Sequence, residues 1–437
     1  MQTQSELKNE ILALVSEYYM QTFANRNYSP GDPISYGGRV FDEQELLYLT
    51  EATLDFWLTT GRYNAEFEQA LASYIGIQYC YTVNSGSSAN LLAFMALTSP
   101  MIEPERRVMR GDEVITVACG FPTTISPIVQ YGAIPVFVDV DIPSYNIDPS
   151  MLEAALSEKT KAVMIAHTLG NPFDAEALRS FCDRHKLWLI EDNCDALGSV
   201  INGRKTGSIG DIGTSSFYPP HHMTMGEGGA VYTDNQLLAK IMLSMRDWGR
   251  DCICGSGQDN RCGHRFDGQF GALPDGYDHK YVYSHFGYNL KITDMQAAVG
   301  CAQLKKLPGF VKSRQENWKY LRDALSPLKS KLILPEPQAC SEPSWFGFVI
   351  TMAEGSREAM LRYLDAKKIQ TRLVFAGNII MQPCFEPFLA NDSSFRVIGD
   401  LPNTNKVMND TFWIGVYPGM NKEMLDAMAD AVKGFFA

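Results

Sequence analysis

Ser216-Phe217-Tyr218-Pro219-Pro220-His221-His222-Met223-Thr224-Met225-Gly226-Glu227-Gly228-Gly229 places two histidines between a proline pair and a glycine-rich turn. The apolar run that follows, 230–233, has the length and composition of a buried strand. Upstream, similar short runs at 114–117, 136–138, 162–165 and 187–190 are separated by helical segments. Apolar runs spaced in this way indicate βαβ units and a mostly parallel sheet with helices on both faces. The fold class expected is therefore α/β, with the histidine segment inside the sheet-forming part.

Before the sheet, Leu46, Leu49 and Trp57, with Thr53 between them, recur at helical spacing over 43–57. A second helix is expected over 65–74, and both are expected to be core helices. The stretch 246–285 breaks the rhythm, with glycines from Gly249 to Gly276 among polar residues and neither helical nor strand period. So long an irregular stretch in a compact domain is usually functional or disordered. Three cysteines inside it favour a loop ordered by metal. Pattern resumes at 295–307 as a helix leading out of the large domain. The remainder is expected to form a smaller α/β domain with a strand at 346–351 and a closing helix at 422–436. The division expected is an N-terminal segment 1–42, a large cofactor-binding domain 43–307 that includes the loop 246–285, and a small domain 308–437.

An apolar share of 45% with 20% charged residues is ordinary for a globular enzyme. The net charge of −12, without any basic run, argues against a nucleic-acid or membrane-surface binder, so an anionic substrate would need a local basic pocket. The opening Met1-Gln2-Thr3-Gln4-Ser5-Glu6-Leu7-Lys8 lacks a signal-peptide pattern, and no apolar stretch reaches membrane length. A cytoplasmic location is expected.

Ten cysteines spread over a long chain do not resemble a secreted disulfide framework. Cys80, Cys119, Cys182, Cys301, Cys340 and Cys384 read as core or incidental thiols. Cys194, Cys252, Cys254 and Cys262 form a C-x57-C-x-C-x7-C array that fits no common zinc spacing. Spacing alone leaves zinc, iron-sulfur and unligated thiols open, with His264 as a further ligand candidate or an outer partner.

The segment 216–229 resembles the active-site segment of the sugar aminotransferases, pyridoxal-phosphate enzymes of the aspartate aminotransferase superfamily. The resemblance runs from about Pro33 to about Tyr417 and implies the PLP-dependent transferase type I fold. In that family the fourth residue after the phenylalanine is the lysine that binds the cofactor covalently; here it is His221. Imidazole exchanges protons near neutral pH but forms no stable Schiff base, so the cofactor would be held non-covalently. Val83-Asn84-Ser85-Gly86-Ser87-Ser88-Ala89-Asn90 matches the family's phosphate turn, which assigns Gly86, Ser87 and Ser88 to the cofactor phosphate. Ile190-Glu191-Asp192 followed by Ala196 and Gly198 matches the family's acidic motif, so Asp192 would hold the pyridine nitrogen protonated. Asp195 stands in place of a glutamine near the phenolic oxygen, Phe121 matches the ring-stacking aromatic, and Ser216 matches a phosphate-binding serine. Asn289, in Gly287-Tyr288-Asn289-Leu290-Lys291, matches an asparagine donated across a homodimer interface. His222 reads as the non-catalytic neighbour, and Lys205 lies in a turn where the family carries a structural hairpin.

The missing lysine together with the four-cysteine array is similar to the iron-sulfur branch of this family, the 3-dehydrases of CDP-4-keto-6-deoxy-D-glucose. That likeness implies pyridoxamine phosphate and a [2Fe-2S] cluster on the four cysteines as cofactors. It also implies a CDP-linked sugar substrate, an electron-donating reductase as partner, and a product on the route to 3,6-dideoxyhexoses of surface lipopolysaccharide. His221 would be the general base. Two rivals stand beside it: a cluster-free 3-dehydratase that has no use for the array, and a zinc-stabilised non-catalytic protein on the same fold.

Overall fold

The computed structural model describes residues 2–24, 28–390 and 394–437. Its centre is an eight-stranded sheet in the order Tyr79–Val83, Gly229–Thr233, Ile212–Ser216, Trp188–Asp192, Thr160–Ala166, Glu113–Val117, Ile134–Val138 and Arg396–Val397. The first two junctions are antiparallel and the remaining five are parallel. The strands Glu113–Val117, Trp188–Asp192 and Ile212–Ser216 are buried along their whole length, as expected where helices cover both faces. Gly86–Ala96, Pro122–Tyr131 and Ala175–His185 supply covering helices. This is the α/β architecture expected, and it gathers several strand ends and helix starts along one edge. Ligands bind at the carboxyl ends of such strands.

A second, antiparallel sheet, in the order Leu332–Ile333, Gly347–Met352, Thr411–Gly415 and Thr371–Arg372, lies in the C-terminal part. Its core joins Phe348, Ile350, Phe412 and Ile414 to Met428 and Val432 of the helix Lys422–Gly434. Both parts share the helix Asp294–Leu325, which starts at a capping box between Thr293 and Gln296. The expectation of a helix over 295–307 is exceeded, because the chain stays helical through Pro308. Apolar residues on either side of that proline, Leu307, Phe310, Trp318 and Leu321, are buried, and that packing outweighs the missing N–H.

The helix Glu43–Asp55 departs from its expected role. Leu49 and Trp57 are exposed, whereas Ala52 and Glu45 are buried. Glu45 turns toward the long helix, where Lys306 Nζ and Gln303 Nε2 each donate to its carboxylate at 2.6 Å. A polar stripe on the partner helix therefore selects the face. Among the described residues of 251–278 there is no helix or strand, in keeping with the irregular reading. Ion pairs order that loop: Arg265 reaches Asp278 through two N–H bonds of 3.0 and 2.7 Å. Among the described residues no helix is long and apolar enough to cross a membrane.

Candidate active site

A cavity of roughly 440 Å³ opens at the carboxyl edge of the large sheet. Gly86, Ser87, Phe121, Asp192, Cys194, Asp195, Ser216 and His221 all line it, so the fold brings together eight of the residues singled out from sequence. Among the described lining residues there is no lysine. Lys205 is elsewhere, in the hairpin of Val200–Ile201 with Arg204–Lys205, its ammonium 4.0 Å from the Tyr74 ring.

Asp192 is the last residue of its strand and faces the cavity, while its neighbour Glu191 points the other way. Glu191 is fully buried, receives N–H bonds from Gly207 and Ile209 at 2.9 and 2.7 Å, and lies 3.0 Å from His167 Nε2. Burial alone would raise its carboxyl, but the His167 contact and the surrounding N–H groups hold it below the usual carboxylate value. It is thereby tied into structure. Asp192 Oδ2 accepts from Asn90 Nδ2 and from Thr124 Oγ1, both at 2.7 Å, and Oδ1 accepts from the Cys194 N–H at 3.1 Å. Thr214 in turn donates to Asn90 Oδ1 at 2.7 Å, which fixes the amide. Neutral donors thus aim the carboxylate without an ion pair to any cation among the described residues.

His221 Nδ1 lies 2.9 Å from the carbonyl oxygen of Cys194. A carbonyl can only accept, so Nδ1 carries the proton and the neutral ring keeps its lone pair at Nε2. Burial, reinforced by the positive charge of Arg314, pushes the imidazole down to about 4, against the Cys194 carbonyl and Asp192, which favour its charged form. The ring is therefore neutral at physiological pH, with the Nε2 lone pair unprotonated. Arg314, 1% exposed, donates Nη1 to the carbonyls of Trp345 and Phe346 and Nη2 to those of Pro220 and His221 at 3.1–3.4 Å. It clamps the histidine turn to the strand-leading segment of the second sheet. His222 is turned away, Nε2 2.7 Å from the Ser344 carbonyl, and does not line the cavity.

Asp195 is pushed up to about 8 by burial and by the nearby Asp192 charge. It is then largely a neutral acid at pH 7, able to donate a hydrogen bond as an amide would. Opposite, Gly86 begins its helix so close to Ser216 that a Cβ there would meet the serine Cβ at 2.4 Å. Only glycine allows the helix start and the strand end to form one small polar pole. Ser87 Oγ donates to Thr123 Oγ1 at 3.2 Å in the same region. Phe121 is 48% exposed and meets Phe375 edge-on at 6.2 Å.

The other residues singled out from sequence lie apart from this group. Ser88 does not line the cavity: its hydroxyl donates to Asn84 Oδ1 at 2.6 Å. Asn289 also lies outside the cavity, where its Oδ1 accepts from Lys291 Nζ at 2.7 Å. The four cysteines are divided, with Cys194 in the large cavity while Cys252, Cys254 and Cys262 share a small one with His279. His279 Nδ1 is 3.6 Å from Cys262 Sγ, and its Nε2 meets Asp251 Oδ2 at 2.7 Å. Among the described residues no three His, Cys, Asp or Glu side chains close on a single metal-sized point. Asn90, Thr124 and Arg314 are the residues that sequence reading missed. Asn90 stood in the phosphate-turn segment and Thr124 in the turn after Phe121, both without a role assigned, and nothing around Arg314 marks it.

A model of the DegT/DnrJ/EryC1/StrS aminotransferase family matches residues 40–433. The lipopolysaccharide biosynthesis protein RfbH of Salmonella typhimurium is 53% identical over 438 residues, covering 99% of both chains. The dTDP-4-dehydro-2,6-dideoxy-D-glucose 3-dehydratase of Saccharopolyspora spinosa is 47% identical over 435 residues, or 99% of this chain and 93% of that one. In three dimensions the chain resembles the E. coli GDP-4-keto-6-deoxy-D-mannose-3-dehydratase with bound hydrated PLP, with a TM-score of 0.79 at 27% identity, over 91% of this chain and 98% of that one. On this fold and these matches, the chain belongs to the DegT/DnrJ/EryC1/StrS aminotransferase family.

Proposed function

We propose that the protein is a pyridoxamine-phosphate-dependent 3-dehydratase of nucleotide-linked 4-keto-6-deoxyhexoses, with a CDP-linked sugar as substrate. The observation that carries this reading is His221 in the family's lysine position, with Nδ1 fixed on a carbonyl, in one cavity with Asp192. The donor set fits the cofactor. An aspartate held by neutral donors and free of an ion pair suits a protonated pyridine nitrogen. The Gly86 and Ser87 turn with Ser216 suits a phosphate at a helix N-terminus.

When bound, the cofactor supplies an amine that condenses with the sugar ketone and a ring that accepts an electron pair. The chain supplies the rest. Asp192 keeps the pyridine nitrogen protonated, Phe121 covers the ring, and Asp195 as a neutral acid takes the place of the family's glutamine. His221 Nε2 removes the methylene proton and hands a proton to the departing C3 hydroxyl. No lysine is among the described residues that line the cavity, so the chain's own side chains offer no amine to displace the sugar, which favours elimination at C3. A PMP-loaded preparation given the 4-keto sugar nucleotide should yield a C3-dehydrated product in mass spectra. A 4-amino sugar in its place would overturn the reading.

A [2Fe-2S] cluster on Cys194, Cys252, Cys254 and Cys262, fed by a reductase partner, is supported by the array spacing and by the three thiols that share one small cavity. Cys194 in a different cavity does not fit a four-cysteine site within one chain. That separation favours the cluster-free 3-dehydratase as the second reading, and iron and sulfide assays on anaerobically purified protein decide between the two.

A further inference from the structure

The large cavity is lined by three acidic residues, Asp192, Glu227 and the largely neutral Asp195, and among the described residues by one cation, Arg372, in a chain of net charge −12. We propose that Arg372 is the subsite for the diphosphate of the sugar nucleotide. This assignment rests on the function proposed above and names the part of the substrate that it recognises.

Three observations point the same way. First, the guanidinium is available. Its Nη1 donates to the Thr371 carbonyl at 2.8 Å, and among the described residues no carboxylate forms an ion pair with it. Second, it is placed: its guanidinium carbon lies over the Tyr36 ring, 3.9 Å from the centroid, so one face is covered and the N–H groups at its edge are left for a bidentate pair of phosphate oxygens.

Third, a continuous wall of rings connects it to the proposed base. Tyr36 meets Trp413 edge-on at 5.4 Å, Trp413 meets Phe346 at 5.4 Å, and Phe346 meets His221 at 5.2 Å. Strand pairing holds Arg372 opposite Trp413 and so fixes the end of the wall. A deoxyhexose, apolar at C6, suits the wall, with its C3 and C4 near His221. Its anionic diphosphate then falls at Arg372, the one cationic side chain among the described residues that line the cavity. The cofactor phosphate is served separately, by the glycine and hydroxyl pole of Gly86, Ser87 and Ser216. That pole contains no cation.

The test uses the full-length protein and its Arg372→Gln and Arg372→Lys variants. CDP and inorganic pyrophosphate are titrated by calorimetry, which needs no turnover, and KM and kcat are then measured with the sugar nucleotide. Arg372→Gln should weaken CDP and raise KM about 10- to 100-fold, the usual cost of one lost charge-assisted hydrogen-bond pair. kcat should stay within about threefold, pyridoxal phosphate affinity should be unchanged, and lysine should recover part of the loss. Unchanged CDP and pyrophosphate affinity would overturn the assignment. Failure of the wild type to dehydrate the sugar, with CDP binding still dependent on Arg372, would overturn the dehydratase reading and leave the anion subsite standing.

Discussion

In the proposed reaction, the imidazole that stands at position 221 in place of the family's amine decides which bond breaks. Restoring the amine as His221→Lys should create a borohydride-reducible covalent attachment of pyridoxal phosphate and lower dehydration sharply; wild-type dehydration without such attachment would contradict this. The same ring sets a pH dependence. His221 is depressed from 6.5 to about 4 in the fold, while an unfolded imidazole protonates near 6.5. Below that value the unfolded state binds the extra proton, so stability falls as pH drops from about 6.5 toward 4. Urea unfolding across this range should show a shallower slope for His221→Asn. Asn90→Ala should cost about 1–3 kcal/mol in the same assay and weaken cofactor binding, since it removes a buried donor to Asp192. His221 and Asp192 were legible because each stands in register with a motif. Asn90 and Thr124 were not, because their importance comes from two helix starts meeting one strand end, and no local pattern encodes that meeting.

At the scale of elements, the site depends on the helix Asp294–Leu325 reaching across to the histidine turn. Arg314→Lys keeps the charge but loses the planar fork that holds four carbonyls. It should lower kcat several-fold with little change in cofactor affinity, as measured by steady-state kinetics and cofactor titration; equal kcat would show that the clamp does not position His221. Periodicity could not reveal this contact, because Pro308 marks an end that core packing overrides. In the same way Leu49 and Trp57 had helical spacing, yet the buried Glu45 chose the face through Lys306 and Gln303. The loop 246–285 was legible only as an interruption, since its order comes from pairs such as Arg265 with Asp278.

For the whole molecule, the short apolar runs revealed five of the eight strands of the large sheet, because strands buried on both faces are mostly apolar, whereas Ile212–Ser216 is as buried but carries glycine, threonine and serines and left no such run. What one chain does not bring together is as informative. Asn289 lies outside the cavity of its own chain, and we propose that it serves a partner's cofactor in a homodimer. Sedimentation should then give a dimer, and an active monomer would refute it. If the cysteine array holds a cluster, anaerobic protein should contain about two iron and two sulfide per chain; zinc without sulfide, or no metal, would remove it and leave the dehydration chemistry intact.

That chemistry is the central claim, and it is tested most directly by following the C3 oxygen. PMP-loaded protein is incubated with the 4-keto-6-deoxy sugar nucleotide in H2(18)O without reductant, and label entering C3 is compared between wild type and His221→Asn. The wild type should exchange the C3 oxygen, and the variant should do so about 10²–10⁴-fold more slowly, the range of a lost general base. Equal exchange by the two proteins, or none by the wild type, would contradict the account.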